Sequence, residues 1–163
     1  MKTIAIDPGF ERLGIAVLDG DASRPNIHYS ACFKTSPKDP FEKRLSQVGK
    51  EILRVIKKYK PETLAIETLF FTTNQKTVMR VAEVRGAIIY LASSNNLSIF
   101  EYTPLQIKIA VTGYGRADKK QVISMVARIS SLKKKALDDE YDAIAIGITH
   151  LASYKTIMRN KKN

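Results

Sequence analysis

Cysteine is almost absent from this chain. Cys32 is the only one in 163 residues, so no internal disulfide can form, and a reducing cytosol is the natural setting. Long apolar runs are absent too. The longest helical one, Ala143 to Ile148, is far shorter than a membrane span, so no membrane attachment is expected. No secretory leader is recognisable: the apolar stretch at residues 2–6 is too short, and no small-residue cleavage site follows. These absences predict a cytoplasmic protein. Internal repeats and low-complexity linkers are also missing. One domain over residues 1–155 is expected, followed by a basic C-terminal tail over 156–163 that is a candidate for disorder. Acid is the last scarcity. Lys and Arg number 27 against 16 Asp and Glu, a formal charge of +11, and a domain this basic is suited to a polyanion, nucleic acid above all.

What is present reads as an alternation of strands and helices. Residues 2–7 and 13–18 have strand patterning, Asp19-Gly20 is a hairpin signal, and residues 27–33 form a third strand. Over residues 41–59 the period changes: Phe41, Leu45, Val48, Ile52, Val55, Ile56 and Tyr59 fall on one helical stripe. Thr63 to Glu67 is a short buried strand, a helix follows from about Thr77 to Ser93, and residues 98–102 form a fifth strand. Thr103-Pro104 is a cap and first-turn pair for a helix ending near Gly113. Asp118 can cap a helix over 119–130, and the last helix runs from about Asp139 to Tyr154. The fold class is therefore α/β, with a mixed five-stranded sheet of three antiparallel and then two parallel strands, flanked by helices.

The acids stand at telling places. Asp7 and Glu67 each terminate an apolar strand at its C-terminal end, the edge of an α/β sheet where sites collect. Asp7 before Pro8-Gly9 could equally be a turn residue, and Asp138, Asp139 and Glu140 could equally cap a helix and favour its dipole. Glu67 has no turn role. Asp142 opens an apolar helix and shares a face with Asp139 at i,i+3 and with Asp138 at i,i+4, so spacing does not choose between those two. Carboxylates drawn together raise one another's pKa, a penalty that Mg²⁺, which prefers oxygen ligands, removes. Two such ions roughly 3.5–4 Å apart can activate a water and stabilise the leaving oxygen in phosphodiester cleavage.

Ile6-Asp7-Pro8-Gly9, Ala65-Ile66-Glu67, Arg85-Gly86 and the block from Asp139 to His150 resemble, in order and distance, the RuvC family of Holliday-junction resolvases. The resemblance spans nearly the whole chain, and the final block is its most specific part. It implies an RNase H-like fold and a homodimer. It also implies symmetric paired nicks across a four-way DNA junction, driven by two Mg²⁺ ions (with Mn²⁺ able to substitute) and leaving 5′-phosphate and 3′-hydroxyl ends, in recombination and repair. It implies work alongside the RuvA–RuvB branch-migration complex. The catalytic and metal-binding acids carried over are Asp7, Glu67, Asp139 and Asp142, which selects Asp139 over Asp138. Phe70 matches an aromatic that stacks on an unpaired base, and Lys108 and Lys119 match lysines near the active site and the DNA. One departure stands out: where the family commonly has Thr-Gly-Trp/Tyr-Gly, this chain has Leu13-Gly14-Ile15-Ala16, so only Gly14 survives.

Other residues fill in the reading. Aromatics beside a basic surface stack on bases for roughly 1–3 kcal/mol each, a role that fits Phe70, while Phe71 fits packing. Lys119-Lys120 open a helix, where the dipole does not favour cations, so both are candidates to face phosphate. Lys133 to Lys135 and the tail from Arg159 fit unspecific, salt-sensitive phosphate contacts. His150 lies eight residues after Asp142 on one helix, too far to share its metal, and reads as structural. The apolar surplus of the 77–93 helix reads as a dimer face, and Pro8-Gly9 as a turn leaving room for a phosphate. Two alternatives remain: an RNase H-like nuclease similar to the YqgF family acting on other nucleic acids, and a non-catalytic nucleic-acid-binding module.

Overall fold

The computed structural model describes residues 1–69, 75–131 and 136–160, without the side chains of residues 75, 76, 155 and 158–160. In chain order the elements are β1 (Thr3–Asp7), β2 (Arg12–Asp21), β3 (Arg24–Lys34), α1 (Phe41–Tyr59), β4 (Thr63–Glu67), α2 (Gln75–Ser94), β5 (Ser98–Tyr102), α3 (Pro104–Thr112), α4 (Lys119–Ser130) and α5 (Asp138–Asn160). The sheet order is β3-β2-β1-β4-β5, with β1, β2 and β3 antiparallel and β4 and β5 parallel to β1. This is the mixed sheet expected from the strand and helix pattern.

Alternation along the strands separates two cores. Ile4, Ile6, Ile15, Val17, Leu64 and Ile66 face α1 and α2, whose Val48, Ile52, Val55, Val84 and Ile88 close that side. Ala5, Ala16, Leu18 and Ala65 face α5, with α3 and α4 completing the layer. The alanines let α5 lie close to the sheet, and a Cβ at Gly147 would run into the side chain of Leu18. Each isoleucine in these cores is about fully buried and worth roughly 1.5–3 kcal/mol relative to exposure.

Local chemistry explains most boundaries. Thr103 and Asp118 both cap their helices through reciprocal capping boxes, with Gln106 and Gln121 returning the bond. Three expectations are corrected. The β2–β3 hairpin turns at Ala22-Ser23 rather than Asp19-Gly20: Gly20 stays in the ladder opposite Pro25, at φ +94°, and Asp21 accepts hydrogen bonds from the amide and hydroxyl of Ser23. α2 begins at Gln75, and α5 continues to Asn160, past Tyr154. Arg44 is a buried member of α1, off its expected stripe. Its Nε donates to Thr35 Oγ1, which donates to the carbonyl of Phe10, tying the β1–β2 turn to α1.

Candidate active site

The site is built where β1, β4 and α5 meet. β1 and β4 run in register with Ile6 opposite Ile66, so Asp7 and Glu67 leave the sheet as neighbours. The two-residue period sets both on the face of Ala5 and Ala65, the face that α5 covers. On β2, Gly14 stands opposite Asp7. A Cβ there would overlap the carbonyl oxygen of Asp139 and lie 3.1 Å from the Asp7 Cβ, so only glycine lets the first turn of α5 rest on the sheet end. This gives the surviving Gly14 a physical reason. Gly9 has a more local one than phosphate clearance: its Cβ would overlap the carbonyl oxygen of Arg12, closing the tight β1–β2 turn. The end of β4 is pinned as well. Arg85 donates from Nε to the Glu67 carbonyl at 3.1 Å and ion-pairs with Glu101, and the Thr68 amide donates to the Tyr102 carbonyl at 2.9 Å.

Crowding sets the electrostatics. Burial, and then the charges of Asp142, Glu67 and Asp139, push Asp7 up to about 8. Burial and then Asp142 push Glu67 up to about 7 against the opposing pull of Lys119. Asp142 is raised by burial even though Lys119 donates to it at 3.1 Å. Lys119 also reaches Asp138 at 3.6 Å, and Arg12 ion-pairs with Asp139, which accepts a weak bond from Cys32 Sγ at 3.6 Å as well. Asp139 contributes to the field at Asp7, whereas Asp138 is exposed and Glu140 turns to β3, accepting from Ser30 Oγ at 2.5 Å. A cleft of about 210 Å³ opens beside Glu67 and Asp142 and is lined by Lys108 and Lys119. All four expected acids and two expected lysines thus gather at one sheet end. Lys120 does not join them: it lines a separate groove with Tyr114 and Arg128. Phe70, Phe71 and Lys133 to Lys135 lie outside the described residues.

Among the described residues no three acidic, cysteine or histidine side chains close into a metal cage, since Asp139 and Asp142 are drawn to Arg12 and Lys119. The donor set nevertheless suits a hard cation. It is all oxygen, partly buried and mutually repulsive, and among the described residues the counter-charges paired with it are two side chains at its rim. Arg12 and Arg85 are the contributors that periodicity and motif reading left without a role. His150 is remote and fully buried, its Nδ1 2.9 Å from the Tyr102 hydroxyl and its Nε2 3.1 Å from Thr63 Oγ1, and burial pushes its pKa down to about 4. His28, on β3, pairs with Asp19 at 2.8 Å.

Comparison with known proteins supplies context for this geometry. The family model for Crossover junction endodeoxyribonuclease RuvC matches residues 3–150. A Crossover junction endodeoxyribonuclease RuvC from Fusobacterium nucleatum is 44% identical over 154 residues, 94% of this chain and 81% of its own length. The structure of T. thermophilus RuvC in complex with Holliday junction substrate matches with a TM-score of 0.89 at 31% identity, covering 96% of each chain. The yeast mitochondrial Holliday junction resolvase Ydc2, at 13% identity and a TM-score of 0.67, covers 97% of this chain and 81% of its own, and shares the fold.

Proposed function

The chain belongs to the RuvC family of crossover junction endodeoxyribonucleases, and from that premise we propose that the acidic cleft at the ends of β1 and β4 is its catalytic centre. The protein is a metal-dependent Holliday-junction resolvase with the RNase H-like fold of its family, a hydrolytic endonuclease that binds junction DNA. The observation that carries the assignment of the site is the convergence of Asp7, Glu67, Asp139 and Asp142 beside Lys119, with the pKa values of Asp7, Glu67 and Asp142 raised by burial, in a chain of net charge +11.

In this reading the four acids hold two Mg²⁺ ions, with Mn²⁺ able to replace them. When bound, the cations supply Lewis-acid activation of a water and of the leaving oxygen in phosphodiester hydrolysis. The protein's own part is placement. Gly14 and the β1–β4 register fix the spacing of Asp7, Glu67 and Asp139, and Arg85 fixes the backbone of Glu67. Lys108 and Lys119 line the cleft and draw a phosphodiester toward it. Lys120, with Tyr114 and Arg128, extends the basic surface in the neighbouring groove. Phe70 keeps its proposed role of stacking on an unpaired base.

α2 supports the homodimer. Val84, Ile88 and Ala92 face the core, while Met79 and Tyr90 are about two-thirds exposed, 66% and 70%. Ala82, Glu83 and Gly86 lie between them on the exposed face, and the position of a Gly86 Cβ is open space. Two copies joined there by two-fold symmetry would present paired sites to a symmetric junction and leave symmetric nicks with 5′-phosphate and 3′-hydroxyl ends. Family membership supports partnership with a RuvA–RuvB branch-migration complex, and a DNA substrate supports work in the cytoplasm. Among the described residues no helix is long and apolar enough to cross a membrane.

The test is a substrate panel of mobile and immobile four-way junctions, linear duplex and an RNA–DNA hybrid, each with Mg²⁺ and then with chelator. Paired symmetric nicks confined to junctions and abolished by chelator are expected. Comparable cutting of duplex or hybrid would point to a different nuclease, and chelator-indifferent binding with no cutting to a non-catalytic module.

A further inference from the structure

Asp139 differs from its three neighbours in what it faces. Asp142 and Glu67 line the cleft, whereas Asp139 is turned to the Arg12 guanidinium and the Cys32 thiol. Arg12 opens β2 directly after the turn that follows Asp7, so the strand that carries Gly14 also delivers this cation to the rim of the site. The side chain of Arg12 is 46% exposed and that of Asp139 only 21%. The two rim cations are also unlike each other. Lys119 is a compact charge shared between Asp142 and Asp138, and can shift while staying in the cleft. A guanidinium instead presents a planar fork that matches a carboxylate and fixes its direction. Among the described residues Asp139 does not close with Glu67 and Asp142 into a group that could hold one ion, and its carboxylate is paired with Arg12.

We propose that Arg12 is a positioning residue that competes with the divalent cation for Asp139. In the metal-free protein it holds the carboxylate turned outward. On metal binding Asp139 swings inward, and the half-exposed guanidinium is released to meet a phosphate of the bound strand. Arg12 is thus a second internal counter-ion for the cluster, beside Lys119, and it couples metal loading to the grip on DNA. This inference rests on reading Asp139 as a metal ligand.

The experiment is calorimetric titration of Mg²⁺ into wild type, Arg12→Ala, Arg12→Gln and Asp139→Asn, each first shown to be folded by its melting curve. Removing the competing charge should tighten Mg²⁺ binding about fivefold in both Arg12 variants, near the upper end of what a partly exposed ion pair supports. Asp139→Asn should weaken it. The second readout is junction affinity measured in chelator and in Ca²⁺. Arg12→Ala should weaken it more in Ca²⁺, where the guanidinium is free, than in chelator. Unchanged or weaker Mg²⁺ binding by both Arg12 variants, with Asp139→Asn still weakened, overturns the role of Arg12 alone. Equal DNA losses in the two conditions overturn the hand-over to phosphate. Indifference of Mg²⁺ binding to Asp139→Asn overturns both Asp139 as a ligand and the inference built on it.

Discussion

The two ends of the contact between α5 and β4 solve the burial of polar groups in opposite ways. Both ends press on the same face of β4, where Thr63, Ala65 and Glu67 alternate toward the helix. At the far end, His150 is held between Thr63 and Tyr102 with both ring nitrogens partnered, and Phe100 and Tyr154 pack around it. At the near end, Asp142 and Asp139 meet Glu67 and Asp7, and burial with like charge raises Asp7, Glu67 and Asp142 instead of satisfying them. One end is complete as folded and serves stability. On the proposed assignment the other becomes complete when cations arrive, which is what a metal-dependent active site requires. A buried polar group therefore marks function here by what it lacks rather than by its burial.

The comparison can be broken at the glycine that seats α5. Gly14→Ala adds a Cβ against the Asp139 carbonyl, and should cost at least about 3 kcal/mol and abolish cutting, as read by denaturant unfolding and junction nicking. A variant as stable and active as wild type would remove the reason given for that glycine. At the far end, His150→Leu strands two hydroxyls and should cost about 2 kcal/mol, while the folded fraction cuts normally. The sign with pH follows from a folded pKa near 4, below the ordinary 6.5. The neutral imidazole contributes stability that is present above about 6.5 and lost as pH falls toward 4, on the order of 3 kcal/mol in wild type. Urea titrations across that range should show the acid-side slope flattened in the variant. The remaining effect belongs to the near end and is read through the metal. With Asp7 near 8 and Glu67 near 7, the folded state retains protons that the unfolded chain releases, so its stability falls as pH rises from the ordinary carboxylate range toward 8. On the proposed assignment Mg²⁺ replaces those protons, and its increase in melting temperature should be a few degrees larger at about pH 8.5 than at about pH 6. A shift independent of pH would argue that the ion binds elsewhere.

Much of this was legible in the residues. The stripe of α1, the apolar runs of β4 and β5, and the caps Thr103 and Asp118 locate their elements because local period and capping decide them. The hairpin at Ala22-Ser23 was less legible, because Gly20 suits a turn but here serves a positive φ inside the ladder. Asp7 and Glu67 could be singled out because each closes an apolar strand, and Asp142 because it opens an apolar helical run. Asp139 needed family resemblance to separate it from Asp138, which shares its helical face with Asp142. Arg12 was hidden for a different reason. Its partner lies near the other end of the chain, and nothing in the local pattern of β2 says which acid the strand will meet. Lys119 and Lys120 look equivalent in sequence, yet the rotation of about 100° between neighbouring helix positions sends them into different grooves.

The acids gathered where β1, β4 and α5 meet are proposed to form the divalent-cation site that cuts junction DNA. Single-turnover nicking of a four-way junction by Asp7→Asn in Mg²⁺, with junction binding measured in parallel in chelator, tests it most directly. Removing this carboxylate should lower the cutting rate by a factor on the order of a thousand and leave junction binding intact or slightly tighter, because one negative charge beside the phosphate is gone. Mg²⁺-dependent nicking at the wild-type rate in that variant would contradict the claim.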